Sequence, residues 1–271
     1  MSAAEFVLSG VRYEYGTGAC ALDAVDLTIS AGEQIAVVGA NGSGKSTLLK
    51  MLDGLAFCSA GTISFEGRAL NEDALEEPAF RREFRSKVGF VFQDADVQLF
   101  SNTVFDELAF GPLQLGLGEA DVRERVAEAA ESLRIAKLLD RAPWTLSGGE
   151  KKRAAIASVL TMRPSVLLMD EPTNALDPRS QVWLLEVLAE WRNAGRTVVI
   201  ATHDLSAASE ACDRMVVLSE EHRVVADGTP AEVLAQRELL LRVNLIHEHA
   251  HRHGAGEHEH PHEHGHLHAN G

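Results

Sequence analysis

An α/β fold follows from three features of this 271-residue chain. Short β-branched or Leu-rich runs alternate with helical segments, which predicts a mostly parallel sheet. One of those runs ends in a Gly-rich loop that opens a helix. A purely helical stretch then interrupts the alternation and predicts a subdomain inserted into the core. In chain order, "FVLSGVRYEY" and "ALDAVDLTIS" alternate apolar with polar residues as half-buried strands do, and "EQIAVVG" is a continuous apolar strand feeding glycine. A helix is predicted from Lys45 to Leu52. "VGFVFQ", "SVLLMDEP" and "TVVIATHD" are further buried strands. Between Gln93 and Trp144 the pattern turns helical, with Val122, Val126, Ala129, Leu133 and Ala136 at three- and four-residue steps along "EADVRERVAEAAESLRIAKLLD". "MVVLSEEHRVVADG" predicts a hairpin, and the next helix takes Thr229 as N-cap and Pro230 at its first position. The folded domain is expected over residues 1–245, with the helical subdomain at about 94–150. Residues 246–271 are expected as a disordered His-rich tail.

The formal charge of -15, from 40 acidic against 25 basic side chains, argues against a phosphate-backbone partner, so nucleic acid is excluded as a first choice. Cys20, Cys58 and Cys212 are three, far apart and without a CxxC pair, which suits a reducing compartment. No apolar run approaches the roughly 18 residues of a spanning helix, and "MSAAEFVLSGVRYEY" lacks the layout of a signal peptide. Service to a membrane would have to come from its side.

"GANGSGKST" fits the GxxxxGK[ST] phosphate loop in its required strand–loop–helix setting. The candidate nucleotide-binding residues are Gly39, Asn41, Gly42, Ser43, Gly44, Lys45, Ser46 and Thr47. The glycines let successive N–H groups converge on phosphate at a helix N-terminus. Lys45 would neutralise phosphate charge and Ser46 would ligate Mg²⁺. "SVLLMDEP" then delivers two carboxylates at a strand's C-terminal end, where ligands sit in open α/β sheets. Strand alternation sends the pair in different directions. Asp170 can hold Mg²⁺ through water, while Glu171 accepts a proton from the attacking water.

"LSGGEKKR", Leu146 to Arg153, resembles the signature motif of the ATP-binding-cassette superfamily, and the resemblance runs from about Phe6 to Asn244. It implies a phosphate-loop NTPase of the ABC-ATPase fold: an N-terminal antiparallel β region, a RecA-like α/β core and an inserted α-helical subdomain. Tyr15, preferred over Tyr13 from its offset to "ALDAV", resembles the aromatic that stacks on adenine. Gln93 resembles the Q-loop glutamine, placed to feel both Mg²⁺ and movement of the insertion. Asp177 resembles the D-loop aspartate and His203 the switch histidine. Ser147, Gly148, Gly149 and Glu150 would act in trans on nucleotide held by a second copy, so the resemblance implies a dimer, expected as a homodimer. For Ser147 an N-cap role holds as well, because the helix N-terminus that it caps is also what faces an anion.

"VFQDADVQLFSNTVFDELAFGPLQLGL" is similar to the segment after the Q-loop in energy-coupling-factor importers, with matches at Gln98, Leu99, Thr103, Val104 and Phe110 to Pro112. Ala95 stands where that group usually carries proline. The form "LSGGEKKR" is similar to its cobalt and nickel members. This implies an ATP- and Mg²⁺-dependent ATPase on the cytoplasmic face of the membrane, with a transmembrane coupling component and a membrane substrate-binding component as partners. Basic coupling helices would suit an acidic surface. The ATPase of a zinc or vitamin importer, and a non-transport cassette ATPase, remain as alternatives.

Ten of the 12 histidines fall at 247, 249, 251, 253, 258, 260, 262, 264, 266 and 268. Neutral imidazole suits Ni²⁺, Co²⁺ and Zn²⁺, so His247, His249, His251, His253, His258, His260, His262, His264, His266 and His268 are candidate ligands for a transition metal. A purification tag and an idle solvated segment are the other readings, and the interleaved glutamates count against the first.

Overall fold

The computed structural model describes residues 4–174, 176–253 and 256–263, the part beyond Ile246 as backbone alone. The strands are β1 (Ala4–Glu14), β2 (Cys20–Ser30), β3 (Gln34–Val38), β4 (Ala60–Phe65), β5 (Arg68–Ala69), β6 (Val88–Val91), β7 (Val166–Asp170), β8 (Thr197–Thr202), β9 (Arg214–Leu218), β10 (Val224–Gly228), β11 (Ile246–His253) and β12 (Gly256–Glu263). The helices are α1 (Lys45–Leu52), α2 (Glu72–Glu76), α3 (Pro78–Lys87), α4 (Ala95–Gln98), α5 (Val104–Gln114), α6 (Glu119–Ser132), α7 (Gly148–Leu160), α8 (Pro178–Asn193), α9 (Leu205–Ala211), α10 (Pro230–Leu234) and α11 (Arg237–Arg242).

Two sheets share the work. β2-β1-β4-β5 form an antiparallel sheet, and β10-β9-β3-β8-β7-β6 form the larger one, parallel except for the edge strand β10. Every residue of β3, β7 and β8 is buried, as a parallel sheet covered on both faces requires. Alternation along β3 divides the core. Ile35 and Val37 pack with α1, α3 and the antiparallel sheet, while Ala36 and Val38 pack with the inserted helices and α8 on the other side. The α/β class, the antiparallel N-terminal region and the helical insertion agree with the expectation.

Some boundaries differ. α6 ends at Ser132 rather than running on to Asp140, because Arg134 turns into the left-handed region at φ +54°. α7 starts inside the signature motif and continues to Leu160, so the helical insertion joins the core through one unbroken helix and not at residue 150. The capping box of Thr229 and Glu232 starts the last helical stretch as expected, yet that stretch breaks into α10 and α11. In the segment expected as a His-rich tail, β11 and β12 pair antiparallel over Ile246–His253 and Gly256–Glu263. The alternation of His and Glu that marks a ligand-rich tail is also the period-two pattern of a strand. His264, His266 and His268 lie outside the described residues.

One buried charge ties the phosphate-loop helix to its neighbour. Asp53 caps the C-terminus of α1, and Arg85 of α3 donates to its Oδ2 at 2.9 Å and to its carbonyl at 2.8 Å. Burial pushes the Asp53 carboxyl up to about 6, with Arg85 opposing the rise. Arg85→Met leaves the carboxylate buried without its cation and should destabilise the fold by about 1–3 kcal/mol; chemical denaturation measures it. Asp53→Asn in the same chain should recover part of the loss, and a double variant no more stable than Arg85→Met contradicts this account.

Candidate functional site

The loop between β3 and α1 is built by its glycines. Gly44 sits at φ +105°, and a Cβ there would meet the Ala21 carbonyl at 2.1 Å. Gly42 lies at φ +85° and faces open space. Lys45 bends back so that Nζ donates to the Gly39 carbonyl at 2.8 Å and the Ala40 carbonyl at 3.0 Å. Burial lowers its pKa, while Glu171 and Asp170 act the other way. A buried ammonium satisfied by two carbonyls, with two carboxylates nearby, is an acceptor site for phosphate charge.

An open cleft of about 480 Å³ lies over this loop, lined by Tyr15, Asn41, Gly42, Gly44 to Thr47, Gln93 and Glu171 among others. Gly39 and Ser43, expected to bind nucleotide, stand behind the loop. A Cβ on Gly39 would strike the Leu218 carbonyl and Ser43 Oγ, both at 2.5 Å, and the Ser43 amide is committed to the Ala40 carbonyl. Tyr15 is half exposed at the cleft's edge, its hydroxyl sharing a hydrogen bond of 2.8 Å with Thr47 Oγ1, and Tyr13 packs edge-on behind it. A ring in that position offers a face to a planar base.

Across the cleft, Ser46 Oγ donates to Asp170 Oδ1 at 3.0 Å. Burial raises the Asp170 carboxyl, more than the Ser46 hydrogen bond lowers it. A hydroxyl and a buried carboxylate without a cationic partner at hydrogen-bond distance are a fitting oxygen pair for Mg²⁺, with Gln93 lining the same cleft. Mg²⁺ held there would neutralise phosphate charge.

Glu171 leaves the end of β7 at φ +44°, a left-handed backbone forced on a side chain. Its amide donates to the Ala201 carbonyl at 2.8 Å, so β8 fixes the turn. Oε2 accepts from Thr202 Oγ1 at 3.0 Å, and Oε1 lies 2.9 Å from His203 Nδ1. The carboxylate is thus aimed by two residues of the neighbouring strand end. His203 in turn has its pKa raised, chiefly by that hydrogen bond.

Ser147, Gly148, Gly149 and Glu150 are not among the residues lining the cleft. Ser147 caps α7 in a capping box: its amide and hydroxyl donate to Glu150 Oε2 at 2.8 and 2.9 Å, and the Glu150 amide donates to Ser147 Oγ at 3.4 Å. These bonds hold the Glu150 carboxyl below its usual range. The exposed helix start is therefore presented ready-made, away from this chain's own loop. Asp177 caps α8, accepting from the Arg179 and Ser180 amides and the Ser180 hydroxyl.

Sequence reasoning missed a pair of ties between α7 and the segment around Gln93. Lys152, buried in α7, donates to the carbonyls of Phe92 at 2.9 Å and Gln93 at 3.1 Å. Lys151 bridges to Asp96 of α4 at 2.5 Å. Gln98 adds a third link, accepting from the Phe92 amide and donating to the Ala155 carbonyl of α7. The double lysine in "EKKR" was the visible signal; its depth was not. Burial pushes Lys152 down to about 8. Lys152→Met should lower kcat by about three- to tenfold with KM for ATP nearly unchanged, because the lysine holds the Gln93 backbone and touches no phosphate. A matching change in KM would contradict that placement.

A phosphate loop, a magnesium-ready oxygen pair, an aimed carboxylate and a histidine against it define a phosphate-loop ATPase. The sequence profile of the ABC transporter family matches residues 22–174, and the chain belongs to that family, as an ATP-hydrolysing subunit. The nickel import ATP-binding protein NikO of Rhodobacter capsulatus is 50% identical over 244 residues, 89% of this chain and 95% of that protein. The energy-coupling factor transporter ATP-binding protein EcfA of Methanothermobacter thermautotrophicus is 41% identical, over 88% of this chain and 75% of its own length. Among solved structures, cbiO1 from Clostridium perfringens, part of the ABC transporter complex cbiONQ, superposes with a TM-score of 0.76 at 37% identity, over 90% of this chain and 96% of that one.

Proposed function

We propose that the chain is the ATP-hydrolysing subunit of an energy-coupling-factor importer for cobalt or nickel, working as a homodimer beneath a transmembrane coupling component and a membrane substrate-binding component. The observation that carries the dimer is the separation of the signature from the cleft. The chain holds one phosphate loop and one capped signature helix, and the two do not meet within it. A second copy turned about a two-fold axis supplies each cleft with the missing helix N-terminus.

Hydrolysis follows from the residues in place. Tyr15 stacks on the base, the loop amides and Lys45 bind the phosphates, and the partner's signature helix closes over the γ-phosphate. Glu171 accepts the proton of the attacking water, and His203, hydrogen-bonded to it, steadies the carboxylate and the developing charge.

Among the described residues no helix is long and apolar enough to cross a membrane, so attachment has to come from a surface. A groove of about 550 Å³ runs between α3, α5 and α7, lined by Arg81, Arg82, Arg85, Gln98, Phe100 and Phe110. Phe100 and Phe110 stack edge-on in the open, 5.0 Å between centroids. This groove seats the coupling component. Its lining differs from the acidic surface expected from net charge: three arginines line it, and Glu107 is buried with its carboxylate spent on the Phe100 and Ser101 amides. Gln98 lines the groove and also bonds the Gln93-bearing segment, so the groove and the ATP site share a side chain.

The metal cargo rests on the names of the relatives and on the His-rich segment, which we assign to handling metal that has arrived in the cytosol. The test is ATP hydrolysis by the complex reconstituted with its membrane components. Stimulation by Ni²⁺ or Co²⁺, and not by Zn²⁺ or a vitamin, is expected; stimulation by a vitamin alone refutes the cargo.

A further inference from the structure

The phosphate loop leans on a hairpin that lies outside every motif. β9 and β10 are joined by a turn in which the Ser219 amide donates to the Arg223 carbonyl and the His222 amide to the Ser219 carbonyl, both at 3.0 Å. β9 runs beside β3 in the central sheet, so its end arrives where the loop begins, and a Cβ on Gly39 would strike the Leu218 carbonyl at 2.5 Å. β2 grips the turn from another side. The Asp23 amide donates to the His222 carbonyl at 2.9 Å, and the Arg223 guanidinium donates to Asp23 Oδ2 at 2.8 Å.

His222 is an unusual choice for this turn. Its backbone is left-handed at φ +65°, which a residue with a Cβ adopts uncommonly and glycine adopts without strain. What histidine adds is an imidazole, and its Nδ1 lies 3.3 Å from the Ser43 carbonyl of the phosphate loop. A carbonyl only accepts, so Nδ1 carries the proton in that contact.

The same peptide that ends in the Ser43 carbonyl carries the Gly44 amide. A trans peptide holds its C=O and N–H on opposite sides of one plane. Fixing the carbonyl against the hairpin therefore turns the Gly44 amide toward the cleft, which Gly44 lines and His222 does not. The Ser43 amide is not free for that part, being committed to the Ala40 carbonyl at 3.2 Å. The ladder of α1 begins with the Gly44 carbonyl, which accepts from the Leu48 amide at 2.9 Å, so the Ser43 carbonyl stands one residue before the helix's own bonds. A hydrogen bond to a carbonyl also polarises its peptide and strengthens the N–H as a donor.

We propose that His222 is a positioning residue for nucleotide binding: through the Ser43 carbonyl it orients and polarises the Gly44 amide, which donates to phosphate. The imidazole itself touches no phosphate. The strain of a left-handed histidine is retained for that hydrogen bond. The role belongs to the ATPase and is independent of any cargo.

The experiment compares His222→Gly with His222→Asn in the full chain. Both residues accept a left-handed backbone, so both variants should unfold close to the wild-type temperature. Only asparagine keeps an N–H donor at the side-chain position of Nδ1. His222→Gly should raise KM for ATP about three- to tenfold, the reach of one ordinary hydrogen bond. Its kcat should change by less than about twofold, because the loss is of binding common to the ground and transition states. His222→Asn should bring KM back to within about twofold of the wild type. In ¹⁵N-labelled chains the Gly44 amide proton should move upfield in His222→Gly and stay near its wild-type position in His222→Asn. An unchanged KM in His222→Gly, or an equal rise in both variants, overturns the proposal and leaves the histidine as a filler of the turn. A fall in kcat without a rise in KM overturns it as well.

Discussion

Glu171→Gln lowers ATP turnover by about 10²-fold or more, while ATP still binds and the closed dimer accumulates. The reason lies in what the carboxylate touches. Both oxygens are held by β8 and its end, through Thr202 Oγ1 and His203 Nδ1, so Glu171 is aimed without being drawn into the phosphate loop. Glutamine keeps the shape and the contacts available to an amide, but cannot take a proton from water. Lys45 and the loop amides, which carry the nucleotide's charge, are untouched. The same variant reports on His203, whose pKa Glu171 raises. Its imidazole resonance should titrate at lower pH in Glu171→Gln than in the wild type. Turnover near the wild-type rate would remove Glu171 as the base, and an unmoved His203 titration would dissolve the pair.

Lys45→Ala and Gly149→Asp chains, each nearly inactive alone, regain activity when mixed. The first loses the cation that the phosphates need. The second places a carboxylate in the first turn of α7, where a partner's phosphate is to arrive, and reverses the helix's electrostatic preference. Random pairing of equal amounts makes half the dimers mixed, and each mixed dimer has one intact phosphate loop facing one intact signature. Recovery of about a quarter of wild-type turnover follows if one intact site works alone, by the two-fold symmetry of the pair. No recovery, with mixed dimers demonstrated by mass, would mean that the signature acts within its own chain.

The elements that position the chemistry were legible because their determinants are local. The strand–glycine–helix sequence around Lys45, the acidic pair at the end of β7, and the Ser147 and Thr229 caps each depend on residues a few positions apart. What escaped depends on depth and on long-range pairing. Lys152 reads as a surface lysine on a polar helix start, and only packing against β6 and α4 shows it buried over the Gln93 backbone. Gly39 and Ser43 fit the motif as well as their neighbours do, yet they are not among the residues that line the cleft. α3, with its arginines on the groove, carried no motif at all.

An ATPase that drives cobalt or nickel import has to move the metal across a bilayer at the expense of ATP. The chain is assembled with the membrane coupling and substrate-binding components proposed for it in liposomes, with ATP and Mg²⁺ supplied on the side that the ATPase faces. Transfer of radiolabelled Ni²⁺ or Co²⁺ to that side should depend on ATP and fall by about 10²-fold with Glu171→Gln. Metal movement that proceeds equally with the wild-type and Glu171→Gln chains, or an assembled complex that hydrolyses ATP and moves neither metal, would contradict the account.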